Sequence, residues 1–280
     1  MSSVLDRAPL GKHSAYETRY NPTLLFPLAR EEKRKELGIQ SAQLPFHGRD
    51  LWYGHELSWL SLNGVPQVRV ACFEIPCESP YLIESKSFKL YLNSLNQTSF
   101  DNEQQVVKAL EHDLSEQTGT GVNVTLLTID ELEQRGLNTT PGINIDHQNT
   151  TINAYQYDPS LLHRLSLQKS TKTITETVNS HLLKSNCPVT GQPDWGTLVI
   201  EYQGEPIDHD ALLRYICSFR NHQEFHEQCV ERIFMDLFHT YDLTSLTVYA
   251  QYLRRGGLDI NPWRSSSKQK KPELQRFARQ

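Results

Sequence analysis

One order of hydrophobic periodicities is written twice along this 280-residue chain. In the first half, Val68, Val70 and Cys72 alternate with Arg69, Ala71 and Phe73 after an Asn63-Gly64 turn, the period of a strand. Phe88, Tyr91, Leu92 and Leu95 then recur at spacings of three and four, the period of a helix. A second helix is expected to take Asp101 as its N-cap, carry Val106, Val107, Leu110 and Leu114, and stop before Gly119. Val122, Val124 and Leu126 alternate as the next strand. The second half follows suit. A Thr-rich strand covers about 171–183, and another covers 197–202 before Gly204. Asp208 opens a helix bearing Leu212, Leu213, Ile216 and Phe219, and a further helix holds Val230, Ile233, Phe234 and Leu237. Leu246, Val248 and Ala250 form the last clear strand. An offset of 124 aligns Ser94 with Ser218, Glu103 with Glu227, Gln104 with Gln228 and Val106 with Val230.

Two strand–helix–helix–strand blocks favour an α+β fold made of two copies of one unit, with antiparallel sheets and helix pairs on one face. A doubly wound parallel sheet needs strands and helices to alternate singly, and here they do not. The organisation read from these blocks has five parts. Residues 1–45 are a polar, proline-broken arm, 46–135 the first unit, and 136–170 a connection of little periodicity, because 130–170 reads as irregular. Residues 171–264 are the second unit. Residues 265–280, with five basic residues and one acidic, are expected to be a solvated, mobile tail.

Several function classes are disfavoured. Lys plus Arg is 28 against 33 Asp plus Glu, a net charge of −5, which argues against a direct nucleic-acid binder. No segment approaches the roughly 18 apolar residues needed to span a bilayer. The first residues lack a signal-peptide core, so the expectation is a cytoplasmic protein with no membrane partner. Five scattered cysteines without a Cys-x-x-Cys pair fit reduced thiols and no metal site. No Gly-x-Gly-x-x-Gly follows a strand, so a nicotinamide cofactor would not be held in the Rossmann manner.

Four segments could carry chemistry. The stretch 184–196 reads as a loop and contains Ser185-Asn186-Cys187-Pro188-Val189-Thr190-Gly191-Gln192-Pro193-Asp194-Trp195-Gly196. Its prolines and glycines could fix Cys187 as a nucleophile with Asp194 as its acid or base; the same residues also read as a packed thiol in a tight turn. Ile83-Glu84-Ser85-Lys86-Ser87-Phe88-Lys89-Leu90-Tyr91 offers Ser85 as a helix cap, with a hydroxyl and lysines suited to a phosphate, or is an ordinary exposed helix face. Glu224-Phe225-His226-Glu227 sets an aromatic ring beside carboxylates, which suits a flat heterocycle with paired N–H donors. It equally suits an amphipathic helix start with solvated acids. In Tyr252-Leu253-Arg254-Arg255-Gly256-Gly257-Leu258 the arginines and glycines could approach an anion together, or mark a strand end and a turn.

Taken in order, these four segments resemble the NADPH-dependent 7-cyano-7-deazaguanine reductases of the queuosine pathway, the QueF family, in its longer two-domain form. Glu84 to Tyr91 match that family's diagnostic run at every position. The likeness extends from about Pro9 to Arg264 and implies tandem tunnelling-fold (T-fold) units. It implies reduction of the nitrile of a small deazapurine to a primary amine with two NADPH. It also implies roles: Cys187 forms a thioimide, Asp194 moves protons, and His226 is a polar helper at the same centre. Glu84 and Glu227 bind the base edge, Phe225 stacks on it, and Ile83 and Ser85 line the pocket. Ser85, Lys86, Arg255 and Gly256 contact NADPH. The longer form further implies a homodimer.

At the 124 offset, Glu84-Ser85-Lys86 meets Asp208-His209-Asp210, and the first half has no counterpart of Cys187. The expectation is therefore one composite site per chain rather than two. Because a thioimide must be kept from water, a lid is expected from residues 256–264 or from a terminal arm. Two other readings remain open here: a zinc-dependent tunnelling-fold cyclohydrolase, and a non-catalytic purine-binding scaffold that would not need the thiol.

Overall fold

A computed structural model describes residues 9, 16–40, 43–163, 173–268 and 276–279. The chain divides into two compact units: 1–43, 49–136 and 254–259 form the first, and 44–48, 137–253 and 260–280 the second.

In the first unit a 3-10 turn, Pro22–Leu24, is capped by the Asn21 carboxamide accepting from Thr23 N. It leads into β1 (Pro27–Ala29) and α1 (Glu31–Glu36), then β2 (His47–Leu60), β3 (Pro66–Pro76) and β4 (Tyr81–Ile83). A helix pair follows, α2 (Ser85–Ser94) and α3 (Glu103–Thr118), then β5 (Asn123–Leu127) and α4 (Ile129–Arg135). Strands β5, β3 and β2 are antiparallel neighbours in that order, and β1 pairs with β4. Phe88 of α2 lies against Trp52 of β2 at 5.3 Å and Phe73 of β3 at 4.9 Å, which seats the helix on the sheet. Residues 16–40 are part of this unit. Asn21 N donates to Ser94 Oγ, Phe26 N donates to Ser87 Oγ, and the buried Arg30 pairs with Asp50 of β2.

The second unit contains β6 (Ile143–Asn144), a 3-10 turn Pro159–Leu161 capped by Asp158, then β7 (Ile174–Ser180), β8 (Lys184–Asn186) and β9 (Pro193–Gly204). After these come α5 (His209–Ser218), α6 (His226–Thr240), β10 (Leu243–Tyr252) and β11 (Leu258–Ser265). The sheet order is β11-β10-β9-β7-β6, with β8 also on β9, and the short β6–β7 pair is parallel. The inner faces of α5 and α6 bury Leu212, Ile216, Val230, Ile233, Phe234 and Leu237.

The two units repeat each other in detail. Helices α2 and α5 each span 10 residues, start 124 positions apart, and are capped by Glu84 and Asp208 through their own carboxylates. In each, a buried tyrosine of the first helix donates to an aspartate of the second: Tyr91 to the buried Asp113, and Tyr215 to the half-buried Asp236. A second tyrosine joins each aspartate, Tyr20 in one unit and Tyr157 in the other. Those tyrosines open the matching runs Tyr20-Asn21-Pro22-Thr23-Leu24-Leu25 and Tyr157-Asp158-Pro159-Ser160-Leu161-Leu162. The mixed α+β architecture with antiparallel sheets is thus as expected from the sequence.

Five local expectations are corrected. The cap of α3 is Asn102, whose side chain accepts from Gln105 N, not Asp101. Residues 130–170 are not uniformly irregular: α4 opens with a complete capping box between Thr128 and Glu131. The stretch 184–196 is not one loop, because β8 and the start of β9 occupy its ends. Of residues 256–264, expected with a terminal arm as the alternatives for a lid, 258–264 lie in β11, where Leu258, Trp263 and Arg264 are buried within a strand. At the chain's end, Phe277 is 1% exposed and its N–H donates to Gln251, so that part of the expected mobile tail is anchored in the second unit.

Candidate active site

In the second unit, the candidate nucleophile sits in the tight turn between β8 and β9. Cys187 N donates to Gln192 O at 2.8 Å and Gly191 N donates to Cys187 O at 3.0 Å. Gly191 closes the turn at φ +67°, a conformation that favours glycine. Two backbone bonds tie this turn to the segment before α6: Asn186 N donates to His222 O at 2.8 Å, and Glu224 N donates to Asn186 O at 3.1 Å. The structure therefore brings Cys187 and the Phe225-His226-Glu227 run together through their backbones. The Cys187 residue is 4% exposed.

Asp194, opposite Ser185 in the β8–β9 register, is buried, and its Oδ1 lies 3.3 Å from Nε2 of His226. His226 is the first residue of α6, after Phe225 at the N-cap position. Its ring stacks face to face on Tyr252 of β10, with centroids 3.9 Å apart and planes 5° apart. Glu227 is buried in the first turn of α6, while Phe225 is half-buried. Burial of these acids overturns the solvated helix start that the sequence also allowed.

Glu224 holds the run in place. Its carboxylate takes a two-pronged bond from Arg232, at 2.9 Å from Nε and 2.7 Å from the second amine, and contacts His222 Nε2 at 3.0 Å. Burial pushes the Glu224 carboxyl upward, but the bonds from Arg232 and His222 outweigh it and leave it below the usual carboxylate range. Arg232 in turn lies over the Tyr157 ring at 4.9 Å. Lys184 of β8 donates to Asn186 Oδ1 and to Arg220 O, both at 2.6 Å. Its ammonium is lowered by burial and by Arg220, and is opposed by the charge of Asp194. Burial, helped by the charges of Glu74 and Glu224 respectively, pushes the thiols of Cys72 and Cys229 up to about 12, as befits packed, inert cysteines.

In the first unit, Ile83 ends β4 and Glu84 caps α2. Both are essentially fully buried. The cap is therefore Glu84 and not Ser85. The Glu84 oxygens accept from Lys86 N at 2.6 Å and Ser87 N at 2.8 Å. Burial raises this carboxyl, opposed by those two amides and by the charges of Lys89 and Lys86. Ser85 and Lys86 are half-buried at the start of the helix. Arg255 and Gly256 lie in a turn closed by Arg255 N donating to Leu258 O, with Gly256 at φ +60° and Gly257 at φ +76°. A cleft of about 140 Å³ opens beside it, lined by Gly54, Glu56, Lys89, Asn93 and Gly256 among others.

Sequence reading did not find the Tyr252 stack or the Glu224–Arg232 clamp. The only signal for the clamp was an acid and a base eight residues apart, which helical periodicity alone does not single out.

Known proteins match the chain along most of its length. Residues 16–126 match the family described as "Nitrile reductase, 7-cyano-7-deazaguanine-reductase N-term", and residues 193–271 match "QueF-like protein". Cys187 falls between these two stretches and is spanned instead by full-length relatives. The NADPH-dependent 7-cyano-7-deazaguanine reductase of Cupriavidus metallidurans is 50% identical over 98% of this chain and 99% of its own. The proteins of the same name from Dechloromonas aromatica and Hydrogenovibrio crunogenus are 52% and 51% identical, over 98% and 96% of this chain and 95% of each of theirs. With half of all positions shared over nearly the whole of both chains, this chain belongs to the NADPH-dependent 7-cyano-7-deazaguanine reductase family.

Proposed function

We infer that this chain reduces the nitrile of 7-cyano-7-deazaguanine to the aminomethyl group, with NADPH as reductant, in the queuosine pathway of tRNA modification. The observation that carries the reading is the Cys187 turn, bonded through its backbone to the Phe225-His226-Glu227 run, with a buried Asp194–His226 pair in the same unit.

A nitrile carbon is a poor hydride acceptor, and covalent addition divides one hard step into easier ones. Cys187 Sγ bonds to that carbon while its proton passes by way of Asp194 to the nitrile nitrogen, giving a thioimide with no net change in protons. Once hydride has been added to the thioimide carbon, with the nitrogen taking a proton from Asp194 that water restores, the nitrogen lone pair expels Cys187 as thiolate and leaves a protonated imine. His226, 3.3 Å from Asp194, holds that carboxyl in position. Glu227 accepts from the paired N–H donors of the base edge, and Phe225 covers the ring. In the first unit, Ile83, Glu84 and Ser85 are assigned to substrate contact. The bonds already made by Glu84 to Lys86 N and Ser87 N fix the orientation of its carboxylate.

The residues present fit NADPH. Gly256 turns the backbone at φ +60°, which favours glycine, and lies beside the Lys89 side chain. Lys86 and Arg255 supply cations suited to phosphate oxygens. Because Glu84 occupies the first amides of α2, the contact from Ser85 and Lys86 is through their side chains. When bound, NADPH supplies hydride, and two equivalents balance the four electrons between nitrile and amine. Arg255 and Lys86 hold and orient it.

We read both units as tunnelling-fold domains, on the support of their repeated helix pairs and tyrosine–aspartate bonds. We also assign the enzyme to the cytoplasm, as a homodimer with no membrane or direct nucleic-acid partner. No helix among the described residues is long and apolar enough to cross a membrane. The test is to mix protein with the cyano base and follow NADPH absorbance. Two equivalents consumed per base, and a covalent adduct on Cys187 when NADPH is withheld, are expected. Full turnover by Cys187→Ala would refute the reading.

A further inference from the structure

Imidazole rings that must point one nitrogen at a functional group are usually fixed by a hydrogen bond on the other nitrogen. His226 lacks that device. Its Nε2 lies 3.3 Å from Asp194 Oδ1, an ion-pair contact outside hydrogen-bond geometry, and Nδ1 is buried with no hydrogen-bond partner among the described residues. The face of Tyr252 lies against the ring at 3.9 Å and 5°. Tyr252 is fully buried, and its hydroxyl faces the Cys229 thiol but meets no nitrogen or oxygen partner among the described residues. Its own position is set from two sides. Its N–H donates to the Asn261 carboxamide at 3.0 Å, and its ring lies over Gly196 of β9, directly across the β9–β10 ladder. A Cβ on Gly196 would come within 3.3 Å of Tyr252 Cδ1 and Cε1, tighter than an ordinary contact. Gly196 sits two residues beyond Asp194, so one short stretch of β9 supplies both the carboxylate and the slot for the tyrosine.

We propose that Tyr252 is a positioning residue whose ring face, seated on Gly196, holds the His226 imidazole with Nε2 toward Asp194. The aromatic face does the work and the hydroxyl does none. The role of this pair in turnover rests on the reductase reading, but the orientation of the ring does not.

Two measurements on the full-length chain separate these. The first is the NMR shift of the His226 ring protons in substrate-free protein, assigned by their loss in His226→Gln. The Tyr252 ring current displaces them upfield in the parent. Tyr252→Phe keeps that displacement and Tyr252→Leu abolishes it. The second is kinetics with NADPH and the cyano base. Tyr252→Leu lowers kcat about tenfold or more, a part of what a proton-transfer group provides, and leaves KM for the base unchanged. Tyr252→Phe stays within about twofold of the parent. Tyr252→Leu combined with His226→Gln is no slower than His226→Gln alone, because both changes remove the same function.

Should Tyr252→Leu fail to fold, Gly196→Ala takes its place: it pushes the ring by a few tenths of an ångström and is expected to shift the His226 signals and kcat in the same direction. The proposal is overturned by unshifted His226 signals in Tyr252→Leu, by equal damage in Tyr252→Phe and Tyr252→Leu, or by additive losses in the double variant. A parent protein with displaced His226 signals but no NADPH oxidation refutes the reductase reading and leaves the Tyr252 assignment standing.

Discussion

Replacing Glu224 by Gln removes one charge and almost no volume from the clamp that precedes Phe225-His226-Glu227. The side chains of Glu224 and Arg232 are 2% and 12% exposed, so the guanidinium left behind has little water to turn to. Breaking a buried pair by removing one partner costs about 3–5 kcal/mol. The Tyr157 ring 4.9 Å from Arg232 still offers about 1 kcal/mol of cation–π attraction, and the Gln oxygen still accepts one bond. The expected loss at pH 7 is therefore at the low end, about 3 kcal/mol. With a urea slope of about 2 kcal/mol/M, the unfolding midpoint falls by about 1.5 M. The pH dependence adds a second reading. The Glu224 carboxyl lies below its ordinary value in the folded protein, so its stabilisation is present above the unfolded value of about 4.3 and is lost as pH falls through the folded one. The gap between parent and Glu224→Gln must then narrow below about pH 4. Urea titrations followed by circular dichroism from pH 7 to pH 3 measure both. A loss under about 1 kcal/mol at pH 7, or a gap that stays constant into acid, would refute the reasoning.

Other outcomes follow from the same geometry. Asp194→Asn keeps the size of the side chain but not its proton chemistry, so kcat falls about 10²–10⁴-fold with little change in KM, as read by stopped-flow NADPH oxidation. Tyr215→Phe removes one of two donors to the half-buried Asp236 and is expected to destabilise by about 1.5–3 kcal/mol in urea titration; Tyr91→Phe, its counterpart on the buried Asp113, falls in the same range. Phe277→Ala empties a fully buried site and costs about 3–5 kcal/mol, where a solvated tail would show no change in thermal melting.

The helix pairs were legible because capping and periodicity are local. Asp208 was read directly as a cap, and α4 could have been, since Thr128 and Glu131 spell a capping box. The Tyr-Asx-Pro runs were also readable, but they lie 137 residues apart while the helices lie 124 apart, so a single offset misses one of them. Strands β2 and β11 were not legible for a physical reason. Asp50, His55, Asp259, Asn261 and Arg264 look like surface residues in sequence, yet each is buried on a partner distant in the chain. Asp50 takes Arg30, His55 takes Asp259 at 2.7 Å, Asn261 takes Tyr252 N, and Arg264 takes Glu231. At the site, the Cys187 turn and the Phe-His-Glu run were visible as separate motifs. The β-bridge between Asn186 and Gln223, which joins them, depends on tertiary pairing that no periodicity encodes.

The placement of β11 has a consequence for how the protein is made. Its first residues complete one unit, where Gly257 O accepts from His55 N and Asp259 meets His55. Its later residues complete the other, where Arg264 meets Glu231 and the chain runs on to Phe277. During synthesis from the N-terminus, both units thus wait for the same late segment to emerge. A ribosome that stalls, or a protease that trims, before that point releases a chain in which His55 has lost Asp259 and Glu231 has lost Arg264. Quality-control machinery would meet two defective halves rather than one sound half and one broken one.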